Sequence, residues 1–140
     1  MKEKLVWAIF GALVGVFAIT VSVLFIPSVR EFNIGFLLVA GAGTVFLLGG
    51  ALIVLVVRQK LGGMLRGFLL LTGACATGFF VFFLLHNFVY GLFIQFFGAE
   101  FWNGGDEPFF FILAALICPL GFIVGAIGSI VLAVRRRSRG

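Results

Sequence analysis

The residues best suited to chemistry in this 140-residue chain are His86, Asn87 and Tyr90, set among phenylalanines, and the acidic pair Asp106-Glu107. His86 and Tyr90 are four apart and so share one face of a helix. An imidazole with carboxylates beside it is a donor set that can bind a divalent metal or pass protons. His86, Asn87, Tyr90, Asp106 and Glu107 therefore form a candidate polar site. The same residues also suit plain hydrogen bonding at a membrane boundary, or contact with a partner. There is one histidine, and no ligand spacing around it reads as a metal motif.

No catalytic motif accompanies them. The chain has no GxSxG, HExxH, P-loop or CxxC, and Cys75 and Cys118 lie far apart in apolar runs. Their ordinary role is small-residue packing near the middle of a bilayer, a buried pair being the lesser reading. A haem held by two histidines would need a second chain, because His86 stands alone. No catalytic residue, metal or cofactor is assigned.

The elements that must position these residues are membrane helices. The chain is 63% hydrophobic and only 11% charged, against about 25% charged in ordinary soluble domains. Hydrocarbon roughly 30 Å thick needs about 20 apolar residues of helix. Four stretches qualify, at about 5–26, 34–57, 67–87 and 109–134, and make residues 1–140 one transmembrane domain. The expected fold is all-α: an integral membrane four-helix bundle, antiparallel and up-down-up-down. The first stretch begins after Lys2 and Lys4 as a signal peptide would. Its apolar run is longer than a signal peptide needs and lacks a small-x-small cleavage site, so it is expected to stay as a helix.

The breaks between spans carry recognisable punctuation. Pro27-Ser28 with Arg30 and Glu31 closes the first, and Arg58-Gln59-Lys60 with Gly62-Gly63 separates the second from the third. Pro108 suits the first position of the fourth helix, where its missing N–H goes unused. Asp106 and Glu107 then lie at the positive end of the helix dipole. From Arg66, His86 is about 30 Å along a helix, which puts it and Asn87 at the far interface and not at the bilayer centre. Residues 88–99 stay aromatic with Asn87, Gly91, Gln95 and Gly98 along one face. An interfacial or protruding helix is expected there, with Tyr90 and Trp102 at headgroup depth.

Charge placement gives the direction. Of the ten Lys and Arg, Arg30 alone falls on the side that receives four of the five acids. The positive-inside rule then puts both termini in the cytoplasm of a multi-pass cell-membrane protein. The RRRSRG tail reads as a topology anchor that also attracts anionic lipid, not as a nucleic-acid site. Helices in lipid associate through small residues, and the expected packing positions are Gly11, Gly15, Gly43, Gly50, Ala74, Gly78, Gly121, Gly125 and Ser129. Pro119 should kink the fourth helix by freeing the carbonyl of Ala115. A weak internal echo pairs Gly43, Gly50 and Arg58 with Gly121, Gly128 and Arg136 at one offset.

The function these features favour is a non-enzymatic structural or accessory subunit of a membrane assembly, with the lipid bilayer and a second copy or a larger complex as partners. An oligomeric channel or transporter for a small solute is the alternative. Against it, no charged side chain lies within a span. A membrane enzyme or cofactor carrier built on His86 and the acids ranks third.

Overall fold

Long apolar runs can satisfy their backbone N–H and C=O groups without water only by bonding within the segment, and these do so as helices. A computed structural model of the chain describes residues 2–25, 34–59 and 61–138. The helices are α1 (Lys2–Phe25), α2 (Ile34–Arg58), α3 (Gly63–Phe97), α4 (Pro108–Ile112) and α5 (Cys118–Arg137), with a π-helical turn, Leu113–Ile117, joining α4 to α5. Among the described residues there is no strand. Four helical stretches are long and apolar enough to cross a membrane: Glu3–Val23, Gly35–Arg58, Gly63–Phe97 and Pro108–Arg137. Ile26, the break from Pro27 to Glu31, Lys60 and Arg139 lie outside the described residues.

The third helix is much longer than the span read for it. α3 has 35 residues, about 52 Å at 1.5 Å per residue, and continues unbroken through 88–97, so that segment is part of α3. It ends at Gly98, whose φ of 89° is open to a residue without a Cβ. The Gly98 N–H bonds back to the carbonyl of Ile94 at 2.9 Å, which closes the last turn.

α3 is the hub. It packs on α2 on one side and α5 on another, and α1 packs on α2. The α3–α5 seam is set by small residues. A Cβ on Gly125 would lie 2.8 Å from the Thr72 nitrogen and 3.0 Å from the Phe68 carbonyl oxygen, so the two backbones nearly touch there. Gly121 faces the Cys75 thiol, Gly78 faces the Cys118 thiol, and the Phe68 ring covers Gly128. These pairs climb α3 as they descend α5. Gly49 and Gly73 make the matching approach between α2 and α3, each with a Cβ position 2.9–3.0 Å from the other's carbonyl oxygen. α1 joins through Thr20 against Gly41 and through Phe17, which stacks on Phe122 at 4.0 Å. Leu13, Val45, Leu52, Val56 and Leu69 fill the interior.

Within the chain, the expected packing positions divide into two groups. Gly78, Gly121, Gly125 and Ser129 lie at or inside helix contacts. Gly11, Gly15, Gly43 and Gly50 do not: a Cβ on any of them meets nothing within 4 Å, and Ala74 is exposed. Gly41, Gly49, Gly73 and Gly128 carry close contacts instead. The spacing of small residues shows which of them share a face but not which face a neighbour covers. The internal echo divides in the same way, since Gly121 and Gly128 are packed while Gly43 and Gly50 are open.

The π turn stands directly before Pro119. The Cys118 N–H bonds to the carbonyl of Leu113, five residues back. Proline has no N–H for the carbonyl of Ala115, and its ring crowds that carbonyl. A widened turn accommodates both effects.

Candidate functional site

Four of the five candidate residues come together at the end of the molecule away from Lys4 and Arg136. His86 is buried in α3, and the residues that meet it arrive along a loop that folds back on the helix. Three successive turns build that loop, with backbone bonds Phe101 to Gly98, Asn103 to Glu100 and Gly105 to Trp102. Asn103 and Gly104 both take positive φ, 52° and 75°, as short polar and Cβ-less residues can. Aromatic rings then hold the loop down. Trp102 stacks on Tyr90 and its Nε1–H donates to the Tyr90 carbonyl at 3.4 Å. Phe93 packs on both Phe101 and Trp102, with ring centroids 4.9 and 5.4 Å away.

The fold-back delivers Asp106 and Glu107 to opposite sides of the imidazole. His86 Nδ1 lies 3.1 Å from the Glu107 carbonyl oxygen and 3.3 Å from Glu107 Oε2. Nε2 lies 3.4 Å from Asp106 Oδ2. Every one of these neighbours is an acceptor. A neutral ring can donate from one nitrogen only, whereas a ring protonated on both can donate to both sides.

The two acids differ in what surrounds them. The Glu107 side chain is 5% exposed and that of Asp106 is 58% exposed. Glu107 also caps α4: Oε1 accepts from the Phe109 N–H at 2.8 Å and Oε2 from the Phe110 N–H at 2.9 Å. One carboxylate thus satisfies two helix N–H groups that lack internal partners and faces the imidazole. Pro108 stands in the first turn, where it needs no N–H. Asp106 Oδ1 accepts from the Glu107 N–H at 2.9 Å, while its Oδ2 faces the imidazole.

Tyr90 stacks on His86 with centroids 6.5 Å apart. Asn87 stands apart from the cluster, its Nδ2 donating to the Phe83 carbonyl of its own helix. Phe111, which did not stand out in the sequence, tilts onto the imidazole at 5.6 Å. Its position five residues after Asp106 was visible, but its rotation toward α3 depends on the fold. A cavity of about 140 Å³ lies beside the ring, lined by Asn87 with Phe79, Phe83, Phe111, Ala114 and Ala115.

No family model matches this chain, and no curated protein or solved structure matches it.

The cluster is a polar latch, in which the two nitrogens of one imidazole meet oxygens of Asp106 and Glu107. Among the described residues no group of three His, Cys, Asp or Glu could hold a metal ion. Both ring nitrogens point at oxygens of the chain itself. What the arrangement does is tie the start of α4 to the C-terminal half of α3.

Proposed function

We propose that the chain is a multi-pass membrane protein acting as a non-enzymatic structural or accessory subunit of a membrane assembly. Its four spans run antiparallel, up-down-up-down, with both termini in the cytoplasm and the His86 latch at the outer boundary. The order of contacts along α3 and α5 supports the antiparallel arrangement. The grouping of Lys4, Arg136 and Arg137 around one groove supports a common side for the two ends. The segment 88–97 protrudes beyond the hydrocarbon or bends into its surface as part of α3.

The observation that carries the subunit reading is the uncovered face of α1. Val6, Phe10 and Leu13 turn inward, while Ala8, Gly11, Ala12, Gly15, Ala18 and Ser22 are all exposed. They recur at helical spacing over about four turns. A leucine-rich surface would serve equally well against lipid tails, whereas small side chains let another helix approach closely. The filled interior argues against a pore through one copy, so a channel would have to form between copies.

The test is native mass spectrometry and cross-linking of the full chain extracted in mild detergent. A stoichiometric assembly, either with a second copy or with another membrane protein, is expected. Gly11→Leu with Gly15→Leu should keep the helical content and release that partner. A wild-type chain found alone at every concentration, or a double variant that assembles as before, refutes the reading.

A further inference from the structure

α1 and α5 meet where Phe17 stacks on Phe122. From that contact toward the N-terminus of α1 and the C-terminus of α5 they leave a groove of about 620 Å³. That volume is within the range of roughly 300–1,000 Å³ typical of ligand-holding cavities. Its rim carries Lys4, Arg136 and Arg137 against a single acid, Glu3. Its floor is apolar: Phe10 and Leu65, both buried, with Ile130 and Ala133 along one wall. Trp7 stands between rim and floor, where an indole ring suits headgroup depth.

We infer that this groove is a binding site for one anionic phospholipid, its phosphate among Lys4, Arg136 and Arg137 and an acyl chain along the floor. The inference rests on the four-span membrane reading. Three observations select this occupant. The rim is cationic by three groups to one, and among the described residues the ion pairs are those of His86, so these cations have no carboxylate within ion-pair distance. The groove runs from Glu3 to Phe10 on α1 and from Ile130 to Arg137 on α5, about 10 Å on each helix. Below the charged rim, the apolar part from Trp7 to Phe10 and from Val134 to Ile130 is about 5–6 Å, enough for the upper part of an acyl chain in a leaflet about 15 Å deep. A free anion would use the rim and leave the floor empty. A zwitterionic lipid would fill the floor and set its own cation against three others. An anionic diacyl lipid satisfies both parts, in keeping with basic pockets between membrane helices.

The experiment offers the full chain, purified in mild detergent, equal amounts of phosphatidylglycerol and phosphatidylcholine with matched acyl chains. Native mass spectrometry reads the ratio of retained lipids. Phosphatidylglycerol should be retained at least tenfold over phosphatidylcholine. Arg136→Ala with Arg137→Ala should lower that preference by roughly fivefold per charge removed. Arg58→Ala, outside the groove, should leave it unchanged. Ala133→Trp retains every charge but fills the floor, and should lose the bound lipid; Ile130→Trp is the second filling variant if the first does not fold by circular dichroism. Equal retention of the two lipids overturns the inference. So does undiminished phosphatidylglycerol on both filled variants, which would mean diffuse attraction to the basic ends. Displacement of phosphatidylglycerol by millimolar inorganic phosphate also overturns it, since the rim would then be a simple anion site. Recovery of the chain outside the membrane fraction would defeat the four-span reading itself, a result distinct from any of these.

Discussion

Adding one methyl group at Gly125 should leave the protein less stable than adding one at Gly11. At both positions Gly→Ala raises intrinsic helix preference by about 1 kcal/mol, so that contribution cancels in the comparison. What remains is contact. A Cβ at Gly11 meets nothing within 4 Å. A Cβ at Gly125 would lie 2.5 Å from Thr72 Oγ1, 2.8 Å from the Thr72 nitrogen and 3.0 Å from the Phe68 carbonyl oxygen. The hydroxyl could rotate, but the other two are backbone atoms of α3 and cannot. The nitrogen is about 0.6 Å short of the 3.4 Å at which ordinary contact begins. α5 must therefore withdraw from α3, loosening the seats of Phe68 on Gly128 and Cys75 on Gly121. Overpacking of this kind costs roughly 1–3 kcal/mol. Gly11→Ala should thus be neutral or stabilising by up to about 1 kcal/mol, with Gly125→Ala lying about 1–3 kcal/mol below it. Reversible unfolding in mixed micelles, followed by circular dichroism, measures both. If Gly125→Ala proves as stable as Gly11→Ala, the close α3–α5 approach is wrong and the helix arrangement built on it fails.

The two acids of the latch should separate sharply. Glu107→Ala removes a helix cap, about 1 kcal/mol, and a buried hydrogen bond to the imidazole, about 1.5–3 kcal/mol. Asp106→Asn, on an exposed group, should stay within about 1 kcal/mol of the parent. Hydrogen exchange at the Phe109 and Phe110 amides should rise for Glu107→Ala and not for Asp106→Asn; equal effects would refute the latch. Ser129 Oγ is buried without a hydrogen-bond partner among the described residues. Ser129→Ala should therefore raise the unfolding midpoint, by about 1 kcal/mol of stability, and a loss would mean that the hydroxyl has a partner. Pro119→Ala restores an N–H to the helix. The Cys118 amide should then move from the carbonyl of Leu113 to that of Ala114, visible as a changed amide shift and exchange rate. An unchanged Cys118 amide would show that the π turn does not depend on the proline.

Several features were legible in the residues alone because they depend on one dimension. Four uncharged apolar runs of span length imply four helices, since lipid offers backbone groups no other partner. Asp106, Glu107 and Pro108 announce a helix start whatever surrounds them, and Glu107 does cap α4. Tertiary structure alone decided which glycines meet a neighbour, because Gly11 and Gly125 look alike in a small-xxx-small pattern and differ only in what stands opposite. It also decided the surroundings of His86. Counting 1.5 Å per residue gives the ring's distance along α3 but says nothing of rotation, nor of a loop that stacks Trp102 on Tyr90 and brings two acids back beside the imidazole. Distance along a helix follows from residue number, whereas contact across helices depends on the rotation of each about its axis, which is set only when all of them pack together.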